Sequence, residues 1–244
     1  MRASVRIREL RVTPSSSVPG LLDAAETAHA ERLADPGGYR TSHTLARLAL
    51  AEELGADPRT LRFVRRCATC GAQDHGKPTL RHTPELAFSL TYTPYAAMLA
   101  VADARVVGEV GIDLEQVAKA DFPGFDLVAL AAPEIADRGV EATSGVVGET
   151  AGHRTGRAVL WARKEALLKA TGFGLAVNPA HLVLTGAHEA PALVSWLAPQ
   201  ARPRAVTLRD LHVGVADHVA AVAVLTSEPI TVAHVPPPRL PGRP

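Results

Sequence analysis

Apolar positions along this chain follow two spacings that alternate. In HTLARLALAEELG (His43 to Gly55) they recur at three and four residues, which is the spacing of one helix face, and the TLRFV after it reads as a short strand. YAAMLAVA (Tyr95 to Ala102) and VVGEVGIDLE (Val106 to Glu115) read as two further strands, joined by a turn at Asp103, Ala104 and Arg105. The second half repeats that order. AVLWARKEALLKATG is helical in pattern, and AHLVL, HVAAVAVL (His218 to Leu225) and ITVAHV are strand-like. Laying Tyr95–Ala102 on His218–Leu225 gives an offset of 123 residues, about half of the 244. The pattern predicts an α+β protein of two similar subdomains, 1–108 and 109–235. Chance likeness among alanine- and valine-rich strands is the competing explanation of the repeat.

Between the halves, Ala118 to Gly156 contains Pro123, Pro133 and several glycines, and is expected to be mobile loop and short helix and not core. The end from Pro236 (PPPRLPGRP, 236–244) is expected to be a flexible tail, because proline donates no backbone hydrogen bond to a sheet.

Composition narrows the classes. Twenty-six Lys plus Arg against 25 Asp plus Glu leave a formal charge of +1, which disfavours a nucleic-acid or anionic-membrane binder that works through a basic face. With 47% hydrophobic but only 4% aromatic residues, the core has to be built from Ala, Val and Leu. The longest apolar run, Tyr95 to Ala102, is far short of the roughly 20 residues of a membrane-spanning helix. The N-terminus has no apolar export segment and there are two cysteines, so a cytoplasmic monomer is expected, with no membrane and no nucleic-acid partner.

Three segments carry candidate chemistry. In VVGEVGIDLE, strand alternation puts Gly111, Asp113 and Glu115 on one face, with Gly111 expected to leave that face open. Adjacent carboxylates repel, a cost offset if they share a hard cation such as magnesium; a solvated sheet face is the plain alternative. In LWARKEALLKATGFG, Leu160, Trp161, Leu167 and Leu168 form an apolar arc that also contains Lys164, whose ammonium must find an anion. Glu165 and Lys169, four residues apart, share the arc's edge as a surface ion pair or as part of a site. The chain has four lysines (77, 119, 164 and 169) against 22 arginines, so lysine is used where a compact, proton-transferring charge is wanted. In HGKPTL, Gly76 permits close backbone approach, Lys77 supplies charge and Pro78 fixes the next φ.

Cys67 and Cys70, with His75 five residues on, have the opening C-x2-C-x4-H spacing of a zinc knuckle. A fourth cysteine would fall at Leu80, and His82 would have to be recruited from outside the pattern; reduced structural thiols are the alternative.

Taken in order, GKP, FSLTYT, GIDLE and WARKEALLKATGFG resemble the signature of the Sfp-type 4'-phosphopantetheinyl transferases, over roughly Arg40 to Gly174. The resemblance implies a pseudo-twofold pair of α+β subdomains with coenzyme A in the cleft between them. It also implies magnesium-dependent transfer of the phosphopantetheine arm to a serine of an acyl or peptidyl carrier protein, a holo-acyl-carrier-protein synthase reaction that releases 3',5'-ADP. By position in the motifs, Asp113, Glu115 and Glu165 resemble the magnesium ligands, and Lys169 resembles the phosphate-contacting lysine. Lys77 and Pro78 match the nucleotide-contacting turn, and Arg40, with Arg47 as rival, the arginine at the 3'-phosphate. Glu165 is the candidate base toward the carrier serine and Lys169 the group that stabilises the departing phosphate.

One departure stands out: Thr91-Tyr92-Thr93 replaces the family's Ser-His-Ser, putting a phenol where a phosphate-binding imidazole is expected. Weaker coenzyme A binding, or compensation by Arg32, is the expected consequence. The alternatives to this activity are a zinc-knuckle-like nucleic-acid-binding module and an inactive paralogue that binds coenzyme A or carrier without transfer.

Overall fold

A computed structural model of the chain describes residues 3–73, 75–120, 122–135 and 151–240. Strands β1 (Ala3–Arg11), β4 (Leu86–Tyr92), β5 (Ala96–Asp103) and β11 (Ile230–His234) form one sheet in the order β11-β1-β5-β4. Strands β6 (Val110–Gln116), β9 (Thr207–Leu211) and β10 (His218–Val224) form a second, in the order β6-β10-β9. Among the described residues, two short hairpins complete the strands: β2 (Phe63–Arg65) with β3 (Pro78–Leu80), and β7 (Leu182–Leu184) with β8 (Leu193–Trp196). The helices among them include α1 (Ala24–Glu31), α2 (Gly37–Leu54), α3 (Phe125–Ala129) and α4 (Ala151–Thr171), with a further helical stretch at 132–135. The protein is α+β.

Both halves use one plan. A first strand pairs antiparallel with the last strand of its half, which pairs antiparallel with the one before it: β1-β5-β4 in the first half, β6-β10-β9 in the second. A long helix between the first strand and the final pair covers one face of each sheet. Leu45, Ala49 and Leu50 of α2 pack on Ala97, Leu99 and Val101 of β5, while Ala158, Ala162 and Ala166 of α4 pack with Ala221 and Ala223 of β10. The other faces meet: Ile7, Met98 and Ala100 of the first sheet share a core with Val110, Ile112 and Val222 of the second. The layers therefore run helix, sheet, sheet, helix. β5, with apolar residues on both faces, is buried from Ala96 to Ala102, as a central strand covered twice has to be.

β11 departs from a simple halving: it runs parallel to β1, with Ala3 opposite Ile230, so the chain's last strand joins the first sheet. β1 itself reads as a strand by its alternation, with Ala3, Val5 and Ile7 fully buried.

The expectation that Ala118–Gly156 lies outside the core needs correction. Phe125, Ala129, Leu130 and Glu134 are buried, and α4 begins at Ala151. Apolar residues in that stretch pack with α4 in one core, while 136–150 lies outside the described residues. Residues 236–240 of the tail form no regular element, although Arg8 donates to the carbonyl of Pro236, and 241–244 lie outside the described residues.

Candidate active site

The close approach of α4 to β6 creates the site. Alanines at 158, 162, 166 and 170 recur every four residues and are at most 1% exposed, giving the helix a flat, small-residue stripe. Gly111 lies against it so closely that a Cβ there would stand 2.0 Å from the Ala166 carbonyl oxygen and 2.4 Å from the Ala170 nitrogen. Gly111 thus closes that face instead of leaving it open, contrary to the expectation from the sequence. Two residues on, the same face of β6 carries Asp113 and then Glu115, which meet Glu165 and Lys169 from the last turns of α4.

The second anchor is β4. Its Ser89 and Thr91 hydroxyls accept from the Ile112 and Leu114 backbone N–H groups, at 3.1 and 3.3 Å. These β6 donors face away from β10, and the two hydroxyls satisfy them while holding the sheets together beneath the crevice. Thr91 also donates to Asp113 Oδ1 at 3.3 Å.

Asp113, 4% exposed, is the electrostatic centre. Lys169 Nζ donates to its Oδ1 at 2.5 Å. Its Oδ2 is buried without a partner, and so is Oε1 of Glu165. Burial first, and then the Asp113 charge, push Glu165 up to about 7. The same causes push Glu115 up to about 8, even though Trp161 Nε1 donates to it at 2.9 Å and Lys169 pulls the other way. The Lys169 ammonium is thus a cation already standing among three carboxyl groups, and one positive charge does not satisfy them.

Three cavities meet around Leu90. One, of about 460 Å³, lies between the halves and is lined by Thr91, Tyr92, Asp113, Glu115, Lys119 and Lys169. A second, also about 460 Å³, holds Lys77, Pro78, Glu165 and the Phe173 to Ala176 segment. The third, about 730 Å³, is the basic one: Arg32, Arg65, Arg81, His29 and His75 line it with Tyr92.

Most of the residues singled out from the motifs come together here. Lys77 reaches across to β6, where its ammonium meets the Glu109 carboxylate and donates to the Val110 carbonyl at 2.7 Å. Burial lowers its pKa, with Glu109 opposing. Pro78 opens β3 beside it. Tyr92 lines two of the cavities, and burial raises its phenol pKa against the pull of Lys169, so it is a neutral hydrogen-bonding group.

The two arginines fare differently. Arg47 cannot meet a phosphate: it is fully buried, with Glu26 at 2.8 Å, Asp23 at 3.0 Å and the Pro58 and Leu61 carbonyls taking its N–H groups. Arg40 is partly exposed on α2 and lines none of the three cavities. Arg65 escaped the sequence-based selection. It lines two of the cavities and donates to the Gly76 carbonyl at 2.9 Å, tying the strand before the loop to the turn after it. Its local sequence, next to Arg66 and three residues after Arg62, does not set it apart from the 21 other arginines.

Lys164 does find its anion. Fully buried, it donates to Glu134 at 2.5 Å and to the Ala129 carbonyl at 2.7 Å.

Residues 109–223, just under half of the chain, match the family model described as the 4'-phosphopantetheinyl transferase superfamily. The resemblance read from the motifs therefore holds at the level of the superfamily over that stretch, which contains Asp113, Glu115, Glu165 and Lys169. No curated protein matches the chain. Among solved structures, a holo-(acyl-carrier-protein) synthase from Bacillus anthracis, in complex with CoA (3',5'-ADP), is similar over 48% of this chain and 93% of its own, at 23% identity and a TM-score of 0.36. So slight a likeness bears on neither the activity nor the ligand of this chain. Among the described residues, no helix is long and apolar enough to cross a membrane.

Proposed function

We propose that this chain, whose residues 109–223 match the model of the 4'-phosphopantetheinyl transferase superfamily, transfers the 4'-phosphopantetheine arm of coenzyme A to a serine of an acyl or peptidyl carrier protein, in the manner of the Sfp-type enzymes. The observation that carries the reading is a pair of buried, unpartnered carboxylate oxygens: Asp113 Oδ2, whose residue lines the crevice between the halves, and Glu165 Oε1, whose residue lines the adjoining cavity beside Lys77 and Pro78. Buried oxygens without a donor are costly, and here they belong to acids that repel one another. Such an arrangement is stable in its ionised form only with more positive charge than Lys169 supplies.

The donor set fits magnesium. Asp113, Glu115 and Glu165 offer hard carboxylate oxygens, and these are the residues that would hold the ion. When bound, the ion would neutralise phosphoryl oxygens and hold the diphosphate in line for displacement. The remaining work falls to the chain. Lys169, no longer needed as counter-ion to Asp113, turns its ammonium to the phosphate that departs. Glu165 is the carboxylate placed to take the proton from the carrier serine, directly or through a water. The Lys77–Pro78 turn bounds the nucleotide, and Arg32 and Arg65, beside Tyr92 in the basic cavity, supply the charge that Tyr92 lacks for a phosphate. The division at about residue 108 into two subdomains, with the cleft between them as the coenzyme A site, belongs to the same proposal.

Incubation of the purified chain with coenzyme A, magnesium and a panel of apo carrier domains tests it. The expected result is a carrier mass increase of one phosphopantetheine that disappears with chelator. A folded protein that modifies no carrier in the panel overturns the reading, and coenzyme A binding without transfer makes the chain the inactive paralogue.

A further inference from the structure

The loop from Arg66 to Lys77 joins β2 to β3, a hairpin held by only three strand pairs, Phe63 with Leu80 to Arg65 with Pro78. So short a hairpin is marginal by itself, and a twelve-residue connection with no helix or strand among its described residues adds closure entropy. Yet this loop forms walls of two of the three cavities, through Cys67, His75, Gly76 and Lys77. Something has to hold its two ends together.

The backbone does part of this. Gly76, at φ 100°, presses on the Arg66–Cys67 peptide, where a Cβ would come within 2.7 Å of the Arg66 carbonyl oxygen and 2.8 Å of the Cys67 nitrogen. At the tip, the Cys67 N–H donates to the Ala72 carbonyl at 2.8 Å, and the Gly71 N–H donates to the Cys67 carbonyl at 3.0 Å, with Gly71 itself at φ 75°. The result is a tight turn at Cys67–Gly71, in which the backbone N–H groups of Cys70 and Thr69 also converge on the Cys67 sulfur. His75 is brought back over this turn.

The ligand atoms of Cys67, Cys70 and His75 all lie within 4.8 Å of one another, and Cys70 Sγ is 3.4 Å from His75 Nε2. Tetrahedral bonds of about 2.3 Å to sulfur and about 2.0 Å to nitrogen place two sulfurs about 3.8 Å apart and a sulfur and a nitrogen about 3.5 Å apart. The cluster is therefore close to metal-binding geometry without rearrangement. Packing does not account for it, because Cys70 is exposed and outside every core cluster. Nor does a helix begin at this C-x-x-C to activate a thiol for redox chemistry.

We propose that Cys67, Cys70 and His75 bind one zinc ion, which clamps this loop in the shape that presents Arg65 and Lys77 to the cavities. Two thiolates and an imidazole select zinc over magnesium, so this site is chemically separate from the carboxylate crevice. Among the described residues three protein ligands are in place, which leaves one tetrahedral position; His82, exposed, stands outside the cluster. The zinc has no step in the transfer reaction. Its role is to hold the loop.

Metal analysis of the purified full chain, kept reduced, is the direct test. One equivalent of zinc per chain is expected. Equimolar cobalt added to the metal-free protein should give the intense near-ultraviolet absorption of thiolate-bound cobalt. Cys70→Ser, at an exposed position, should keep the fold by circular dichroism and weaken zinc by more than about 100-fold against a competing chelator dye, beyond what loss of an outer partner costs. Zinc should also slow amide hydrogen exchange in residues 66–77 and leave the β5 amides unchanged. Absence of retained zinc and of the cobalt band in the reduced, folded wild type overturns the site, and zinc binding with no change in loop exchange overturns the clamp. Neither result bears on transfer to a carrier, and failure of transfer leaves both readouts intact.

Discussion

The two long helices occupy equivalent places in the two halves, each lying on its own sheet, and each buries charge. On α2, Arg47 and His43 meet Glu26 and Asp23 from α1 and its cap: His43 Nδ1 is 2.8 Å from Glu26 Oε1, and Arg47 spends its donors on Glu26, Asp23 and two carbonyls. The capping box of α1, in which the Asp23 side chain accepts from the Glu26 N–H and Glu26 reaches back to the Asp23 N–H, holds the two acids in place. On α4, Glu165 and Lys169 meet Asp113 and Glu115 from β6, and two carboxylate oxygens are left over. The ionic content is similar, but the degree of satisfaction differs. A buried charge with every donor used is structural, whereas buried acids set side by side and short of partners store free energy that a ligand can release.

The pKa values of the two regions move in opposite directions for this reason. At Glu26, burial raises the pKa, but hydrogen bonds from His43 and the Asp23 backbone and the charges of His43 and Arg47 outweigh it, leaving the group below its ordinary 4.5. At Glu165 and Glu115, burial and Asp113 prevail and the values rise to about 7 and about 8.

The largest expected effects come from breaking each region at its centre. Arg47→Ala should leave Glu26 buried and unpaired and cost about 3–5 kcal/mol in denaturant unfolding, with turnover of the remaining folded enzyme unchanged. A loss below about 1 kcal/mol would remove the distinction between the regions. Asp113→Ala should do the converse. Carrier modification should fall by at least about 10³-fold, equivalent to about 4 kcal/mol of barrier, while circular dichroism and the melting temperature stay near those of the parent. Near-parental activity would refute the assignment of the crevice.

Next in size is the dependence of stability on pH, in the presence of chelator. Glu26, with its folded pKa lowered, contributes stability that is present above about pH 4.5 and is lost as pH falls through the folded value. Glu165 and Glu115, with folded values raised, contribute stability that is complete below about pH 4.5 and is lost as pH rises through about 7 and about 8. Melts of Glu26→Gln should therefore lose the difference between pH 5 and pH 3 that the parent shows. Melts of Glu165→Gln should lose part of the parent's decline between about pH 4.5 and pH 7, leaving the part due to Glu115. If both variants shift the same limb, the two regions are not opposed.

How much of this was legible in the chain depends on the range of the interaction. β5, β10, α4 and the same-face pairing of Asp113 with Glu115 follow from spacing within a few residues, and the structure has them. The alternation of β1 was equally local, but its pairing with β11, more than 200 residues away, has no local sign. The candidate site divides in the same way. Motif positions on β4, β6 and α4 converge as expected, whereas Arg40 and Arg47 came from a looser stretch of the resemblance, YRTSHTLAR, and such a match cannot tell a buried arginine from an available one. What buries Arg47 is Asp23 and Glu26, about 20 residues upstream, whose own role is set by a helix cap. Core residues such as Phe125 and Glu134 were hidden because prolines and glycines around them suggested loop, while Lys164 had announced that an acid must exist somewhere.

The smallest effect is expected where the two regions come closest, at Tyr92, which stands in ring contact with Tyr39 of α2 and borders the cavity that holds Lys169 and Asp113. If the basic cavity takes a phosphate, Tyr92 supplies at most one neutral hydrogen bond there, and Arg32 and Arg65 supply the charge. Tyr92→His should then lower the KM for coenzyme A only about two- to fivefold at pH 6, where the imidazole is charged, and less at pH 8, with kcat unchanged; a charge-assisted hydrogen bond in place of a neutral one has that order of effect. Arg32→Ala in the same assay should raise KM by more than the histidine lowers it. If the histidine lowers KM equally at both pH values, the gain is one of shape or packing, and the phosphate end of the nucleotide does not lie beside residue 92.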